Sequence, residues 1–225
     1  MSRDHRLHLH HGPGGHGLPL LVLPDLTHAG DEWQDVLDVW PGPSVAPDLP
    51  GHGLSRPSVG GKYVPGDTTL AAVRVLPQVA WDEPPVVLGH GWGAYAAEYL
   101  AAAGRVWALV MVDGLGGPWR TPAEITEMQT AWLHRALELH ATPAVTPDPL
   151  LGLGFPDVWE PEFTRSRRAA ITVPVLALET PASPTPPEER QARTGDFGGP
   201  ATYEPCTRAD VAARVLRVAG PTGGR

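Results

Sequence analysis

The strongest constraint on the fold of this chain lies between residues 86 and 103. An apolar run, Val86-Val87-Leu88, leads into Gly89-His90-Gly91-Trp92-Gly93 and then into the alanine-rich stretch Ala94 to Ala103. The run has the length of a buried strand, and the alanines favour helix. Three alternating glycines between them predict a sharp strand-to-helix turn, where neighbouring backbone comes too close for side chains. A buried strand that passes directly into a helix is the first half of a crossover, and crossovers build parallel sheets.

The rest of the sequence repeats that alternation. Leu20 to Leu23 reads as a buried strand, Asp31 to Val39 as a short amphipathic helix ended before Pro41, and Val45-Ala46 as a short strand. Thr68 to Ala80 is expected to be helical, with Pro77 bending it or ending it early. Val106 to Val112 and Val173 to Leu178 read as further strands, and Arg208 to Val218 as a closing helix. Thr121-Pro122-Ala123-Glu124 has the form of a capping box with proline at the first helical position. Ile125, Met128, Trp132, Ala136 and Leu139 follow it at helical spacing, and residues 142 to 161 are proline-rich and irregular. Strands alternating with helices predict an α/β protein with a mostly parallel sheet flanked by helices. A length of 225 residues suits a single domain spanning 1–225.

Composition excludes several function classes. The formal net charge is −8, and no basic patch is evident, so a nucleic-acid partner is not expected. The longest apolar run, Val106 to Val112, is far too short to cross a bilayer. The first residues are polar and rich in His and Gly, unlike a secretory leader. Cys206 is the single cysteine, which rules out an intrachain disulfide and favours a reducing, cytoplasmic setting. One lysine and no asparagine, against many arginines, alanines and glycines, suggest a GC-rich bacterial source.

Gly89 to Gly93 resembles the nucleophile elbow, G-x-S-x-G, of the α/β-hydrolase family. Asp48-Leu49-Pro50-Gly51-His52-Gly53-Leu54-Ser55 resembles the loop after the second core strand in that family, which includes esterases, haloperoxidases and epoxide hydrolases. Leu21 to Trp33 is similar to its oxyanion loop. The resemblance covers about residues 18 to 115 and resumes near Val173 to Leu178. It implies the α/β-hydrolase fold with a short helical cap, reduced here to about residues 118–170.

The same resemblance exposes four departures. Gly91 stands at the nucleophile position and has no side chain to attack with. Ser183 falls at the acid position, where it cannot stabilise an imidazolium. The histidine is expected after the last strand, near Thr202 to Thr207, yet the last histidine of the chain is His140. Pro24-Asp25 replaces the His-Gly pair of the oxyanion loop, setting a carboxylate where an oxyanion would need donors. Ordinary serine-type hydrolysis is therefore expected to be absent.

The polar groups that remain suggest where activity could sit. Asp25 and His28 form the candidate catalytic pair, with Leu26, Gly91, Trp92, Asp113 and Trp132 as candidate ligand contacts. Asp113 is also readable as a turn residue, His90 and His52 as structural, and Asp48 as a loop residue satisfying backbone donors. His5, His8, His10, His11 and His16 straddle the first strand and a glycine turn, so alternate residues are expected to face solvent and no metal site is expected. No cofactor is expected. The function reading is small apolar ligand binding or non-hydrolytic acid–base chemistry of lyase, isomerase or cyclase type. Alternatives are a non-catalytic interaction or scaffold protein, and hydrolysis by water activated by Asp25 and His28. Oligomeric state is not legible.

Overall fold

The computed structural model describes residues 7–26, 28–56, 65–79, 81–115 and 161–219, together with positions 123, 126, 127, 130, 131, 134 and 138. Strand β1 is Leu9–His11, β2 Leu20–Leu23, β3 Ser44–Pro47, β4 Val86–His90, β5 Ala108–Val112, β6 Val175–Glu179 and β7 Ala201–Pro205. They form one sheet in the order β1-β3-β2-β4-β5-β6-β7. Only β1 is antiparallel to its neighbour, pairing Leu9 with Pro47 and His11 with Val45. The other pairs are parallel.

The helices are α1 Gln34–Val39, α2 Pro65–Val79, α3 Trp92–Ala102, α4 Pro161–Ala169, α5 Pro187–Thr194 and α6 Val211–Leu216. Both faces of the sheet are covered, as buried parallel strands require. Side chains alternate between two cores with the period of two set by strand geometry. Leu21, Leu23, Val87, Leu109, Met111, Val175 and Ala177 pack with Ala72 and Val75 of α2 and with Ala94, Ala97 and Ala101 of α3. Leu20, Val22, Val86, Leu88, Val110, Val112 and Leu178 pack with Trp33, Val36, Leu37 and Trp40 around α1 and with Val211 and Val215 of α6. Trp40 is buried but not polar-starved, since its indole N–H donates to the Leu18 carbonyl at 2.7 Å.

Several sequence expectations are corrected here. Pro77 does not end α2 early, because the helix runs to Val79. A proline so near the end removes one N–H bond in a turn that is about to finish anyway. The segment expected to follow the last strand proves to contain it. β7 is half-exposed, mixes Thr, Tyr and Glu, and ends in proline, so it carries no hydrophobic alternation. Helices α4 and α5 were not expected, since both are strongly polar. The helix expected to begin at Thr121 is represented by its described positions, which are helical and exposed. Thr121, Ile125, Met128 and Trp132 lie outside the described residues.

Candidate active site at the carboxyl edge of the sheet

The central strands deliver their carboxyl ends to one edge, the place where open α/β sheets collect functional groups. β4 ends at His90, and α3 begins at Trp92, so Gly91 alone makes the turn. Its backbone sits at φ 48° and ψ −111°, a conformation costly for any residue with a Cβ. The turn is pinned by the Gly91 N–H, which donates to Val112 O at 2.8 Å, and by the Ala94 N–H, which donates to Gly91 O at 3.1 Å. The flanking glycines are sterically required. A Cβ on Gly89 would lie 2.6 Å from the Ala94 nitrogen, and one on Gly93 2.6 Å from the Pro24 carbonyl oxygen.

The loop after β2 brings Asp25 directly onto this turn. The Trp92 N–H donates to Asp25 Oδ1 at 2.5 Å. A Cβ placed on Gly91 would lie 2.5 Å from both Asp25 carboxylate oxygens. The Asp25 carboxylate thus occupies the space into which an elbow side chain would project. It also takes the backbone donor that follows that position. Among the described residues, the volume left by Gly91 is filled by Asp25.

His28 stands three residues further along the same loop. Its Nδ1–H donates to Glu32 Oε2 at 2.6 Å, and Glu32 Oε1 accepts the Ala29 N–H at 3.2 Å. One carboxylate therefore fixes both the loop and the half-exposed imidazole. Glu32 was missed from sequence because its partner lies in irregular backbone, although the spacing of four residues was a usable clue. The His28 ring lies 5.5 Å from that of His90, which lies 5.4 Å from Trp33.

His90 is thus closer to the candidate pair than its structural reading implied. Its Nδ1 is buried without a hydrogen-bond partner among the described residues, and its Nε2 is 3.9 Å from Asp113 Oδ2. Burial pulls its pKa down, opposed by the Asp25 charge and reinforced by His28. His52 is also buried, with Nδ1–H donating to Pro50 O at 3.1 Å and Nε2 without a partner among the described residues. Burial likewise lowers its pKa, with the Pro50 bond and Asp25 acting the other way. Burial therefore biases both rings toward the neutral form.

Asp113 adopts φ 51°, and its carboxylate accepts the Thr180 N–H at 2.6 Å and the Thr180 hydroxyl at 2.7 Å. Leu26 and Trp92 are buried beside the turn, and Trp92 packs edge-on against Tyr95 at 6.0 Å. Ser183, at the expected acid position, donates its hydroxyl to Glu179 Oε2. Glu179 ends β6 and also accepts the Leu115 N–H at 2.9 Å. Cys206 follows β7 where the resemblance places a histidine, its N–H donating to Glu179 O at 3.1 Å and its thiol pushed up by burial.

Glu179 has a measurable consequence. Burial raises its pKa above 4.5, opposed by the Ser183 and Leu115 bonds. A carboxyl raised on folding stabilises fully below 4.5, and that contribution fades as pH climbs through the raised value. Glu179→Gln keeps an acceptor for Leu115 and removes the titration. Its stability relative to the parent is expected to improve steadily from pH 4.5 to 7 in urea melts. A constant difference across that range would refute the assignment.

A parallel sheet with a positive-φ strand-to-helix turn, a loop from the neighbouring strand laid over it and acid-bearing turns beside it defines an α/β-hydrolase-type site. The profile of the alpha/beta hydrolase family matches residues 9–220, and the chain belongs to that family. The lipase LipV of Mycobacterium tuberculosis is 36% identical over 106 residues, an overlap of 46% of this chain and 39% of the lipase. The chain therefore aligns with well under half of that relative's length. Among solved structures it is similar to a thioesterase domain from the curacin biosynthetic pathway, with TM-score 0.72, 18% identity and coverage of 94% and 93% of the two chains. A monoacylglycerol lipase of Paleococcus ferrophilus gives TM-score 0.71 at 15% identity, covering 95% and 98%. The hypothetical protein PA1622 of Pseudomonas aeruginosa PAO1 gives 0.73 at 21%, covering 97% and 96%. At such identities these structures speak to the fold. No helix among the described residues is long and apolar enough to cross a membrane.

Proposed function

We propose that this chain is a hydrolase-family protein whose site works through a carboxylate and an imidazole in place of a serine-type triad. The observation that carries the proposal is Asp25, bonded to the Trp92 N–H and filling the side-chain space of Gly91. A negative group in that place repels the oxyanion of acyl transfer, which donors there would otherwise stabilise. The same group suits acid–base work, since it is held by a backbone bond and half-exposed. His28, oriented by Glu32, is its partner. Gly91 offers no nucleophile, Ser183 is bonded to Glu179, and no histidine follows His140. The substrate or ligand is a small apolar molecule carrying a proton or carbonyl within reach of Asp25, and the chemistry is of lyase, isomerase or cyclase type.

Two experiments test the proposal. A serine-directed fluorophosphonate probe should leave the native chain unlabelled, and Gly91→Ser alone should not restore ester turnover, because triad members act as a unit. In a thermal-shift screen of small apolar carbonyl compounds, at least one should stabilise the native protein. Asp25→Asn and Gly91→Leu should lose that response. Robust probe labelling, or a screen with no stabilising compound, would remove the basis of the proposal.

A second reading is favoured by the short His28–Glu32 contact, which is the geometry of a base oriented by an acid. Water activated at His28 would hydrolyse an ester without any covalent intermediate. It requires slow turnover of an activated aryl ester that vanishes in His28→Ala and survives the fluorophosphonate.

A further inference from the structure

Away from that site, two of the amino-terminal histidines lie beside each other, in a stretch where no metal site was expected. His8 and His10 are two residues apart in extended backbone, so alternation puts them on the same side. We propose that His8, His10 and Asp48 form a binding site for a first-row divalent cation of the zinc, cobalt or nickel type. Each offers one donor atom, and the three atoms lie within 4.8 Å of one another. His10 Nε2 and Asp48 Oδ1 are 2.9 Å apart, and the His8 and His10 rings meet edge-on at 4.8 Å. Tetrahedral zinc with bonds of about 2.0–2.2 Å holds its ligand atoms about 3.3 Å apart. Half-buried His10 and buried Asp48 already have nearly that separation, and exposed His8 completes the set by turning its side chain.

The scaffold around these donors is built as metal sites require. Asp48 is buried and held from both oxygens, Oδ1 accepting the Gly30 N–H and Oδ2 the Leu54 N–H, each at 2.8 Å. Those bonds orient the carboxylate as outer-shell partners do. An ionised carboxylate has about four lone-pair positions, so two backbone donors leave room for a cation. The backbone of His8 is placed too: its carbonyl accepts the Asp48 N–H at 2.9 Å, and its N–H donates to Ser55 Oγ at 2.8 Å. Two imidazoles and one carboxylate suit borderline divalent ions better than calcium or magnesium, which prefer oxygen throughout. Water would complete the coordination at the exposed side. A bound ion would clasp edge strand β1 to the loop after β3 and, through Gly30, brace the loop carrying Asp25 and His28.

The test uses the full chain without an affinity tag, stripped with chelator and titrated with zinc chloride by calorimetry. One ion per chain should bind, and about a hundredfold excess over Kd should raise Tm by about 5–10 °C. His8→Ala, at an exposed position that should fold normally, is expected to weaken binding at least tenfold, on the order of one lost ligand. His11→Ala, the next residue of β1 and exposed, should bind like the parent. The Co2+ form should show the visible absorption of a tetrahedral site. Absence of a one-to-one isotherm would mean that His10–Asp48 is a plain hydrogen bond. Unchanged affinity in His8→Ala, or equal loss in His11→Ala, would mean diffuse binding by the histidine tract. Any of these overturns the proposal.

Discussion

Gly91→Ser is expected to destabilise the protein by about 3–5 kcal/mol and lower Tm by on the order of 10 °C. Two physical costs combine. A side chain at φ 48° and ψ −111° carries backbone strain of about 1–3 kcal/mol. The new Cβ must also push aside the Asp25 carboxylate, breaking its bond to the Trp92 N–H, a charge-assisted bond worth about 1.5–3 kcal/mol. The second cost disappears if Asp25 is already gone. Asp25→Gly combined with Gly91→Ser should therefore be more stable than the sum of the single changes predicts, by about 1–3 kcal/mol. Urea melts of the parent, both singles and the double give that coupling directly. Strict additivity would show that Asp25 does not occupy the elbow in solution.

Removing Glu98 should be at least as costly. Glu98 lies on α3 and is fully buried, its Oε1 accepting Arg168 Nε at 2.8 Å and its Oε2 accepting Arg167 Nε at 2.9 Å. Arg168 is fully buried as well and stacks over Phe197 at 5.2 Å. Arg193 reaches the same region and donates to the Leu115 carbonyl at 2.9 Å. Glu98→Ala removes the carboxylate that both guanidinium groups bond, leaving Arg168 with Asp196 at 4.0 Å, so a loss of about 3–5 kcal/mol is expected. Replacing the buried pair together, as in Glu98→Leu with Arg168→Met, should recover much of it, since apolar packing can match a buried ion pair. A loss below about 1 kcal/mol in Glu98→Ala would place the cluster among weak surface pairs.

How the two faces of the sheet are built was legible before any coordinates. Val86-Val87-Leu88 and Val106 to Val112 are continuous apolar runs because both faces of a parallel strand are covered. Strand β7 was not legible, because an edge strand needs only half an apolar face and Thr202, Tyr203 and Glu204 supply little more. The stretch Thr202 to Thr207, where a histidine was expected after the last strand, instead overlaps β7 and continues into Cys206 and Thr207. The Glu98–Arg167–Arg168 cluster was equally hidden, since its partners are about seventy residues apart and charged residues on helices ordinarily face water.

The candidate site divides along the same line. Local sequence determined the turn itself: only glycine tolerates the contacts at residues 89 and 93, and only glycine sits easily at the backbone angles of residue 91. It also determined that a carboxylate would stand in the loop after β2. Where that carboxylate points was decided by tertiary structure. Asp25 and Trp92 are 67 residues apart, and their bond exists because β2 and β4 pair in parallel register, Leu23 beside Gly89. The same holds for His8, His10 and Asp48, which the antiparallel pairing of β1 with β3 draws together. Strain and steric room are properties of a few consecutive residues, so sequence encodes them. Proximity between distant side chains depends on strand register, which the whole core fixes at once.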